Sequence, residues 1–497
     1  MSLKINIIAS YTSQIYATLI GIIMTPVYIS YMGIEAYGLI GFYAMLQAIF
    51  QILDVGLTPT MARETARFNG GAIDATTLRR LLRALEWIFI GIALLGCIAM
   101  ISGSGFIANH WLNVQSLPID EVQESIILIA MTVVLRWICG LYRSSISGFE
   151  RLIWLSGFNI AISTARFVLI IPIFIQIGSS LKIFFLYQLT IAILELILLA
   201  IKTYTLLPTP NEEQLKSWTW APVKSALKFS LVIALTSGIW IFATQVDKII
   251  LSSLLSLTDY GQFTLAVLAA SGVLMVSNPI SLALLPRMTR LQAAGDEVGL
   301  LRIYKNATQL VAVITIPAGL ILFNYSEKIL WIWSGNADIA IQAAPILRLY
   351  ALGNVVLAFT AFPYYLQFAK GDLKLHFIGS FIFASWLIPS LTIASLKYGG
   401  IGAGYAWVIS NFLYFLLWTP LIHKRILGKF HKTWLIKDIL YIFLSGVAAT
   451  IITSQISFQS KSKFETTLYI ISIGIIIFIA CILGSSFSRT HIKKHKT

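Results

Sequence analysis

The sequence predicts an all-α integral membrane protein with about fourteen transmembrane helices, and three observations support this fold class. First, 58% of the 497 residues are hydrophobic, 11% are charged and the mean hydropathy is +0.83, so there is too little polar surface to cover a water-soluble globule. Second, apolar stretches recur along the whole chain without the alternating polarity of β-barrel strands. Third, basic residues cluster in every second connection between these stretches.

Each apolar stretch is long enough, at about 18 residues or more, to cross the hydrocarbon of a bilayer as a helix. The predicted spans are 6–31, 36–60, 82–107, 123–147, 156–178, 181–205, 225–252, 258–285, 306–326, 341–367, 375–396, 400–423, 437–456 and 466–487. No cleavable signal pattern precedes the first span, so we expect it to stay in the mature protein.

The net charge of +15 is explained by membrane topology. With the N-terminus inside, 27 of the 36 lysines and arginines fall on one side, Arg143 and Arg151 among them, and five fall on the other. This positive-inside pattern predicts that both termini are cytoplasmic and that the basic connections contact anionic lipids. A nucleic-acid partner would instead require basic residues clustered on a water-facing domain, which the sequence does not contain. The remaining four cations are predicted inside helices: Arg136, Arg166, Lys248 and Arg348.

Several predicted helices carry polar residues at helical spacing, which places them on one face. These stripes are Gln47, Gln51, Asp54 and Thr58; Arg136, Gly140, Arg143 and Ser147; Asn159, Ser163 and Arg166; Gln188, Glu195 and Lys202; and Ser237, Trp240, Thr244 and Asp247. The neutral members are most simply explained by helix packing. The charged members point to function, because a charge near the bilayer centre costs at least about 2.5 kcal/mol.

Depth separates these charges. Arg136, Arg166 and Glu195 are predicted near the middle of the membrane, and Asp247, Lys248 and Arg348 in its outer portion. Asp54 is predicted near the cytoplasmic surface, where it is as much a candidate structural partner of Arg63 or Arg67 as a functional acid. Asp247 and Lys248 point about 100° apart on a helix and need not pair, so one of them is expected to face a lumen.

The chain also looks duplicated. At a constant offset of 223 residues, Tyr37-Gly38 in "IEAYGLIGF" matches Tyr260-Gly261 in "LTDYGQFTL", Arg67 matches Arg290, and Gly148 in "SGFER" matches Gly371 in "AKGDL". Each match falls at the same place in a six-helix half, which predicts parallel repeats that form two lobes around a central cavity. The predicted divisions are an N-terminal lobe at 1–205, a cytoplasmic linker at 206–224, a C-terminal lobe at 225–424, and helices 13 and 14 with a basic tail at 425–497.

The segments "YGLIGFYAMLQAIFQILDVGLTPTMARETAR" and "TQVDKIILSSLLSLTDYGQFTLA" resemble the bacterial O-antigen repeat-unit flippases. Their superfamily also contains the MATE drug exporters and the lipid II flippases. The resemblance implies an inner-membrane protein that moves an undecaprenyl-pyrophosphate-linked oligosaccharide to the periplasmic leaflet by alternating access, alongside other polysaccharide assembly proteins. By position, Arg136 and Arg166 match the lumen cations of that family, and Asp247-Lys248 matches its acidic–basic pair.

The chemistry of the residues agrees with this implication. A pyrophosphate would be strongly desolvated inside a membrane, so its path needs fixed cations, and arginine binds phosphate oxygens with a planar fork. Trp240 is a candidate for stacking on sugar rings. No enzyme cofactor is expected, and Glu195, Asp247 and Asp54 are candidate acids for a coupling proton or sodium ion, or simply counter-charges of the arginines. We expect Arg136→Ala and Arg166→Ala to reduce transport more than Arg143→Ala, because only the first two are predicted at depth.

Three other functions compete with this interpretation. A MATE-like exporter of cationic drugs should have an acid-rich lumen, whereas arginines outnumber acids two to one at the predicted mid-membrane level. A polysaccharide polymerase or glycosyltransferase usually presents a large extramembrane loop, and the outer connections near 108–122 and 327–340 are short. A scaffolding protein gives no reason for buried arginines.

The remaining reactive residues suggest no catalytic chemistry. The six histidines lie near predicted helix ends or in the basic tail without metal-ligand spacing, and surface roles are expected for them. Cys97, Cys139 and Cys481 are expected to be small packing residues. The sequence has no GxxxxGK[ST] phosphate loop.

Overall fold

The computed structural model describes residues 3–54, 56–207, 238–239, 242–456 and 462–486. Within these ranges the chain is almost entirely helical, and its only β-pairing is an isolated bridge between Asn113 and Ser256. The prediction of an all-α protein is therefore confirmed.

The described helices are connected by short segments, apart from α8 and α9, between which most residues lie outside the described ranges. They are α1 (Leu3–Ile52), α2 (Leu57–Asn69), α3 (Ala75–Ser102), α4 (Ser104–Phe106), α5 (Ile119–Gly148), α6 (Leu152–Phe167), α7 (Ile170–Gln176), α8 (Leu181–Leu206), α9 (242–254), α10 (Leu257–Ala293), α11 (Glu297–Asn324), α12 (Ser326–Ser334), α13 (Ala337–Lys370), α14 (Lys374–Leu413), α15 (Thr419–Leu427), α16 (Phe430–Trp434), α17 (Tyr441–Ser454) and α18 (Lys463–Gly484). Among the described residues, three π-helical segments lie at Ile107–Trp111, Tyr414–Trp418 and Leu435–Leu440.

Ten helical ranges of the described chain are long and apolar enough to cross a membrane, as expected for a multi-pass membrane protein. Two of them contain a glycine with a positive φ that interrupts the helix, Gly33 at 85° and Gly399 at 56°. Gly33 falls between the predicted spans 6–31 and 36–60, and Gly399 falls between 375–396 and 400–423. The sequence therefore predicted a break between helices at both places. The predicted span 225–252 and the linker 206–224 lie largely outside the described residues, and the count of fourteen stays a prediction.

The first compact unit comprises residues 1–261. Helix α5 lies at its centre and packs against α2, α3 and α8, while α6 packs against α1. The buried face of α5 is apolar toward its start, with Ile126 and Ile129 fully buried. The same helix carries its arginines in the second half, so one element serves both the core and a polar surface.

Two glycines of the predicted duplication meet in this unit. A Cβ at Gly38 of α1 would overlap the carbonyl oxygen of Leu257, and a Cβ at Gly261 of α10 would overlap that of Ile34. The start of α10 therefore approaches α1 at a distance that only glycine permits. Asn113 strengthens the same region, since its side-chain amide donates to the carbonyls of Ser253 (3.1 Å) and Leu255 (3.2 Å).

We expect Gly38→Ala to destabilise the protein by about 1–3 kcal/mol, because the new methyl group overlaps backbone that cannot rotate away. Gly91→Ala in α3 is the matched control, since nothing lies within 4 Å of its Cβ position. Thermal unfolding in detergent should show a lower midpoint for the first variant only. Equal midpoints would contradict the close helix contact.

The second compact unit comprises residues 262–497, of which 262–456 and 462–486 are described. Its core joins α11, α13 and the helices from α15 to α18 around Tyr304, Phe362 and Trp434, all nearly or fully buried. The expectation of a surface role is wrong for His423, which is fully buried. Its Nε2 is 2.7 Å from Tyr304 Oη and its Nδ1 is 2.8 Å from His431 Nδ1. Partners from two other helices thus satisfy a histidine near a helix end.

Candidate functional site

A cavity of about 970 Å³ lies within the first unit. Its walls come from α1, α2, α5, α6 and α8, which bring together four of the five polar stripes. The lining residues are Ser10, Ser13, Gln14, Ala17, Thr18, Gln47, Gln51, Ile52, Asp54, Gly56, Thr58, Pro59, Val133, Arg136, Trp137, Gly140, Arg143, Leu152, Leu155, Ser156, Asn159, Ser163, Arg166, Phe167, Glu195 and Gly238.

One buried carboxylate connects two arginines in this cavity. Glu195 of α8 is only 2% exposed, and its Oε1 lies 2.5 Å from Arg143 Nη2. Its Oε2 lies 3.7 Å from Arg136 Nε, close enough for an ion pair, but accepts no hydrogen bond from any described residue. Arg143 also donates through Nη1 to the side-chain oxygen of Asn159. The carboxylate is therefore held firmly by one arginine and loosely by the other.

Arg136 is oriented by residues of α1. Tyr43 is buried, and its hydroxyl accepts hydrogen bonds from Arg136 Nη1 at 3.3 Å and from Gln47 Nε2 at 2.7 Å. Because Gln47 fixes the position of this hydroxyl, the guanidinium has a defined place on the cavity wall. Two helices far apart in sequence thus determine where this positive charge lies.

Arg166 near the end of α6 has no carboxylate within 4.0 Å in the part of the chain that the structure describes. Its guanidinium lies over the ring of Phe167, 4.4 Å from the centroid. Gln188 donates to its backbone carbonyl at 3.2 Å, which ties α8 to α6. No described carboxylate therefore competes with an anion for the N–H donors of Arg166.

Asp54 lies where α1 passes into α2 and serves a local structural role. Its Oδ1 accepts hydrogen bonds from the backbone nitrogen (3.0 Å) and hydroxyl (2.5 Å) of Thr58, in the first turn of α2. It makes no ion pair among the described residues, and Arg67, one of its two predicted partners, pairs with Glu64 at 2.9 Å. Burial raises the pKa of Asp54, and the hydrogen bonds from Thr58 partly offset this shift.

Three other candidate residues lie outside this cavity. Asp247 and Lys248 of α9 pair with each other at 3.5 Å, and Lys248 Nζ also donates to the carbonyl of Thr244 at 3.2 Å. The lysine side chain therefore folds back along its own helix. Arg348 of α13 belongs to the second unit, where its Nε donates to Ser326 Oγ at 2.8 Å. Trp240, the candidate for sugar stacking, lies outside the described residues.

The positive-inside pattern counts Arg143 with a cytoplasmic connection, although the predicted span 123–147 also contains it, and the structure places it within a helix. Arg143 lines the cavity from the same face of α5 as Arg136, about two turns further along the helix. The spacing of seven residues between the two arginines was visible in the sequence. Its partner Glu195, 52 residues further along the chain, was not recognisable as such.

Three arginines and two carboxylates, those of Glu195 and Asp54, leave the cavity with an excess of positive charge. The neutral lining is rich in amides and hydroxyls, including Gln14, Gln51 and Ser163. Guanidinium groups suit phosphate or carboxylate oxygens, and amides and hydroxyls suit the hydroxyl groups of a sugar. The arrangement is chemically fitted to a polar anion.

Known structures with the same fold are membrane transporters. A structure described as the lipid II flippase MurJ in an inward closed conformation matches with a TM-score of 0.71 and 17% identity, covering 98% of this chain and 99% of that one. An inward-facing multidrug resistance MATE family transporter of the MOP superfamily matches with a TM-score of 0.65 and 12% identity, covering 86% and 95%. At these identities the likeness concerns the fold.

The sequence comparisons define the family. A Bacillus subtilis (strain 168) protein described as the uncharacterized membrane protein EpsK is 21% identical over 477 residues, covering 93% of this chain and 90% of that protein. The family model described as "Polysaccharide biosynthesis protein" matches residues 3–292, which is more than half of the chain. The protein therefore belongs to the polysaccharide biosynthesis protein family and has a fold shared by MurJ and the MATE transporters.

Proposed function

We propose that this protein is a flippase that moves an undecaprenyl-pyrophosphate-linked oligosaccharide, an O-antigen or related repeat unit, from the cytoplasmic to the periplasmic leaflet of a bacterial inner membrane. The observation that carries the proposal is the cavity between apolar helices with Arg136, Arg143 and Arg166 in its wall. Cations inside a bundle of apolar helices are costly in a membrane protein and normally serve function, and all three arginines are only partly exposed. The fold of a lipid II flippase supports the same class of substrate.

The cavity provides for each part of such a substrate except the lipid tail. Its volume lies at the upper end of the range of about 300–1,000 Å³ for small-molecule sites, which leaves room for a diphosphate and an adjoining sugar. The arginines bind the phosphates, and the amide and hydroxyl groups bind sugar. The tail stays in the bilayer while the head group crosses, so no binding energy is required for it.

In the proposed cycle the head group enters from the cytoplasmic side, where both termini lie, and the protein then opens to the other side by alternating access. A proton or sodium ion drives the cycle, with Asp54, Glu195 and Asp247 as the acids available to bind it. Other polysaccharide assembly proteins supply the substrate and use the product.

Native mass spectrometry of the purified protein in detergent tests the substrate class. We expect undecaprenyl pyrophosphate to be retained and the neutral alcohol undecaprenol to be lost, because only the first engages the arginines. The two lipids share the same tail, so tail binding alone cannot produce the difference. Equal retention of both, or retention of a cationic dye in preference to either, would contradict an anion site.

Export of cationic drugs is the other activity found on this fold, and the charge of the cavity disfavours it. Arg136, Arg143 and Arg166 repel a cation. The buried acid among them, Glu195, already forms ion pairs with Arg136 and Arg143. A site for a cation would need a surplus of carboxylates in the same wall.

A further inference from the structure

Glu195 stands in the position that a substrate phosphate would take. It lies between the two arginines of α5, almost completely buried, and forms ion pairs with both guanidinium groups. A carboxylate oxygen and a phosphate oxygen accept the same N–H donors with the same geometry. Glu195 and an incoming phosphate therefore compete for one set of donors.

The competition is unequal along the cavity. Arg143 already donates from Nη2 to Glu195 and from Nη1 to Asn159, so a phosphate competes with two acceptors for this guanidinium. Arg136 meets Glu195 only at 3.7 Å, and Arg166 meets no carboxylate among the described residues. An anion can therefore bind first at Arg166 and Arg136 and take over Arg143 afterwards.

We propose that Glu195 is an internal competitor of the substrate, whose carboxylate occupies Arg143 and Arg136 in the empty cavity and returns to them when the substrate leaves. The inference rests on the proposed function, and it explains how the site releases its substrate. Without the carboxylate the cavity would bind phosphate more tightly, because its positive charge would be uncompensated. Tight binding without the competitor would slow release, and release must occur in every transport cycle.

The experiment measures affinity and transport for the same variants. Inorganic pyrophosphate is titrated into detergent-purified protein by calorimetry, and flipping of an undecaprenyl-pyrophosphate oligosaccharide is followed in proteoliposomes. For Glu195→Gln we expect pyrophosphate affinity to rise at least about tenfold and the maximal flipping rate to fall. A residue that merely stabilised the fold would lower both quantities together, so opposite changes are diagnostic.

Two further variants complete the design. Glu195→Asp keeps the charge but retracts it by one methylene from Arg143, so its affinity should lie between those of wild type and Glu195→Gln; it also carries the test if the glutamine variant does not fold. Glu86→Gln is the control, because Glu86 accepts hydrogen bonds from Tyr142 (2.9 Å) and Tyr204 (2.8 Å) and does not line the cavity. Its pyrophosphate affinity should equal that of wild type.

The outcomes separate this inference from the proposed function. If Arg143→Gln loses pyrophosphate binding while both Glu195 variants bind no more tightly than wild type, the anion site stands and the competitor role is overturned. If Arg143→Gln binds as well as wild type, the anion site itself is wrong, and the inference is overturned with it.

Discussion

Replacing Arg143 by glutamine is expected to slow flipping at least about 30-fold. The change removes the cation nearest to Glu195 and leaves that buried carboxylate with Arg136 at 3.7 Å as its remaining ion-pair partner. Loss of one member of a buried charge pair costs about 2–5 kcal/mol in binding, and about 2 kcal/mol corresponds to a factor of about 30. The measurement is the rate of head-group redistribution in proteoliposomes that contain equal amounts of each protein.

Arg151→Gln is the matched control for this prediction. Arg151 is exposed, directly precedes α6 and does not line the cavity, so its replacement should change the rate less than about twofold. The structure also changes the order expected from the sequence, in which Arg143 was the least important of three arginines. Since all three line one cavity, we now expect a large loss for each, and equal rates for Arg143→Gln and Arg151→Gln would refute the role of Arg143.

Filling the cavity is expected to have an effect of similar size. Gly140 lies on α5 between Arg136 and Arg143, and the nearest atom to its Cβ position is Thr58 Oγ1 at 3.7 Å. Tryptophan at this position would project into open space, so the fold should persist while the head group loses its binding volume. We expect Gly140→Trp to flip substrate at least about tenfold more slowly than wild type, at matched expression and unfolding temperature.

Gly91→Trp provides the comparison for the added side chain. Gly91 is exposed on α3, and nothing lies within 4 Å of its Cβ position. A tryptophan there adds the same bulk to a membrane helix without entering the cavity, and transport should continue. If Gly140→Trp also transports normally, the substrate does not pass through this cavity.

Helical periodicity predicted much of the candidate site. All four residues of the first stripe line the cavity, but the predicted span 36–60 is wrong as a single helix, since Gln47 and Gln51 belong to α1, Asp54 to the turn after Ile52, and Thr58 to α2. Asn159, Ser163 and Arg166 of the third stripe line it from one helix, α6, as predicted. This success has a physical reason: a polar face on an apolar helix must meet protein or water, and the spacing of residues alone defines that face.

Contacts between distant helices could not be predicted in the same way. Whether Arg143 belongs to a helix end or a cavity depends on Glu195 reaching it from α8, and the burial of His423 depends on Tyr304 of α11. The pairing of Asp247 with Lys248 depends on side-chain rotamers, which periodicity does not specify. The predicted duplication also did not specify local contacts. Gly148 is closely packed against Ala62 and Thr65, whereas its match Gly371 follows the end of a helix and has a φ of 73°.

The most direct test of the central claim is a flipping assay with the purified protein. A fluorescent undecaprenyl-pyrophosphate oligosaccharide is incorporated into proteoliposomes, a proton or sodium gradient is imposed, and an impermeant external quencher reports how much head group reaches the outer leaflet. We expect the protein to accelerate redistribution over protein-free vesicles, and the gradient that alters the rate identifies the coupling ion. Redistribution no faster than in protein-free vesicles, with export of a cationic dye from the same vesicles, would contradict the proposed substrate.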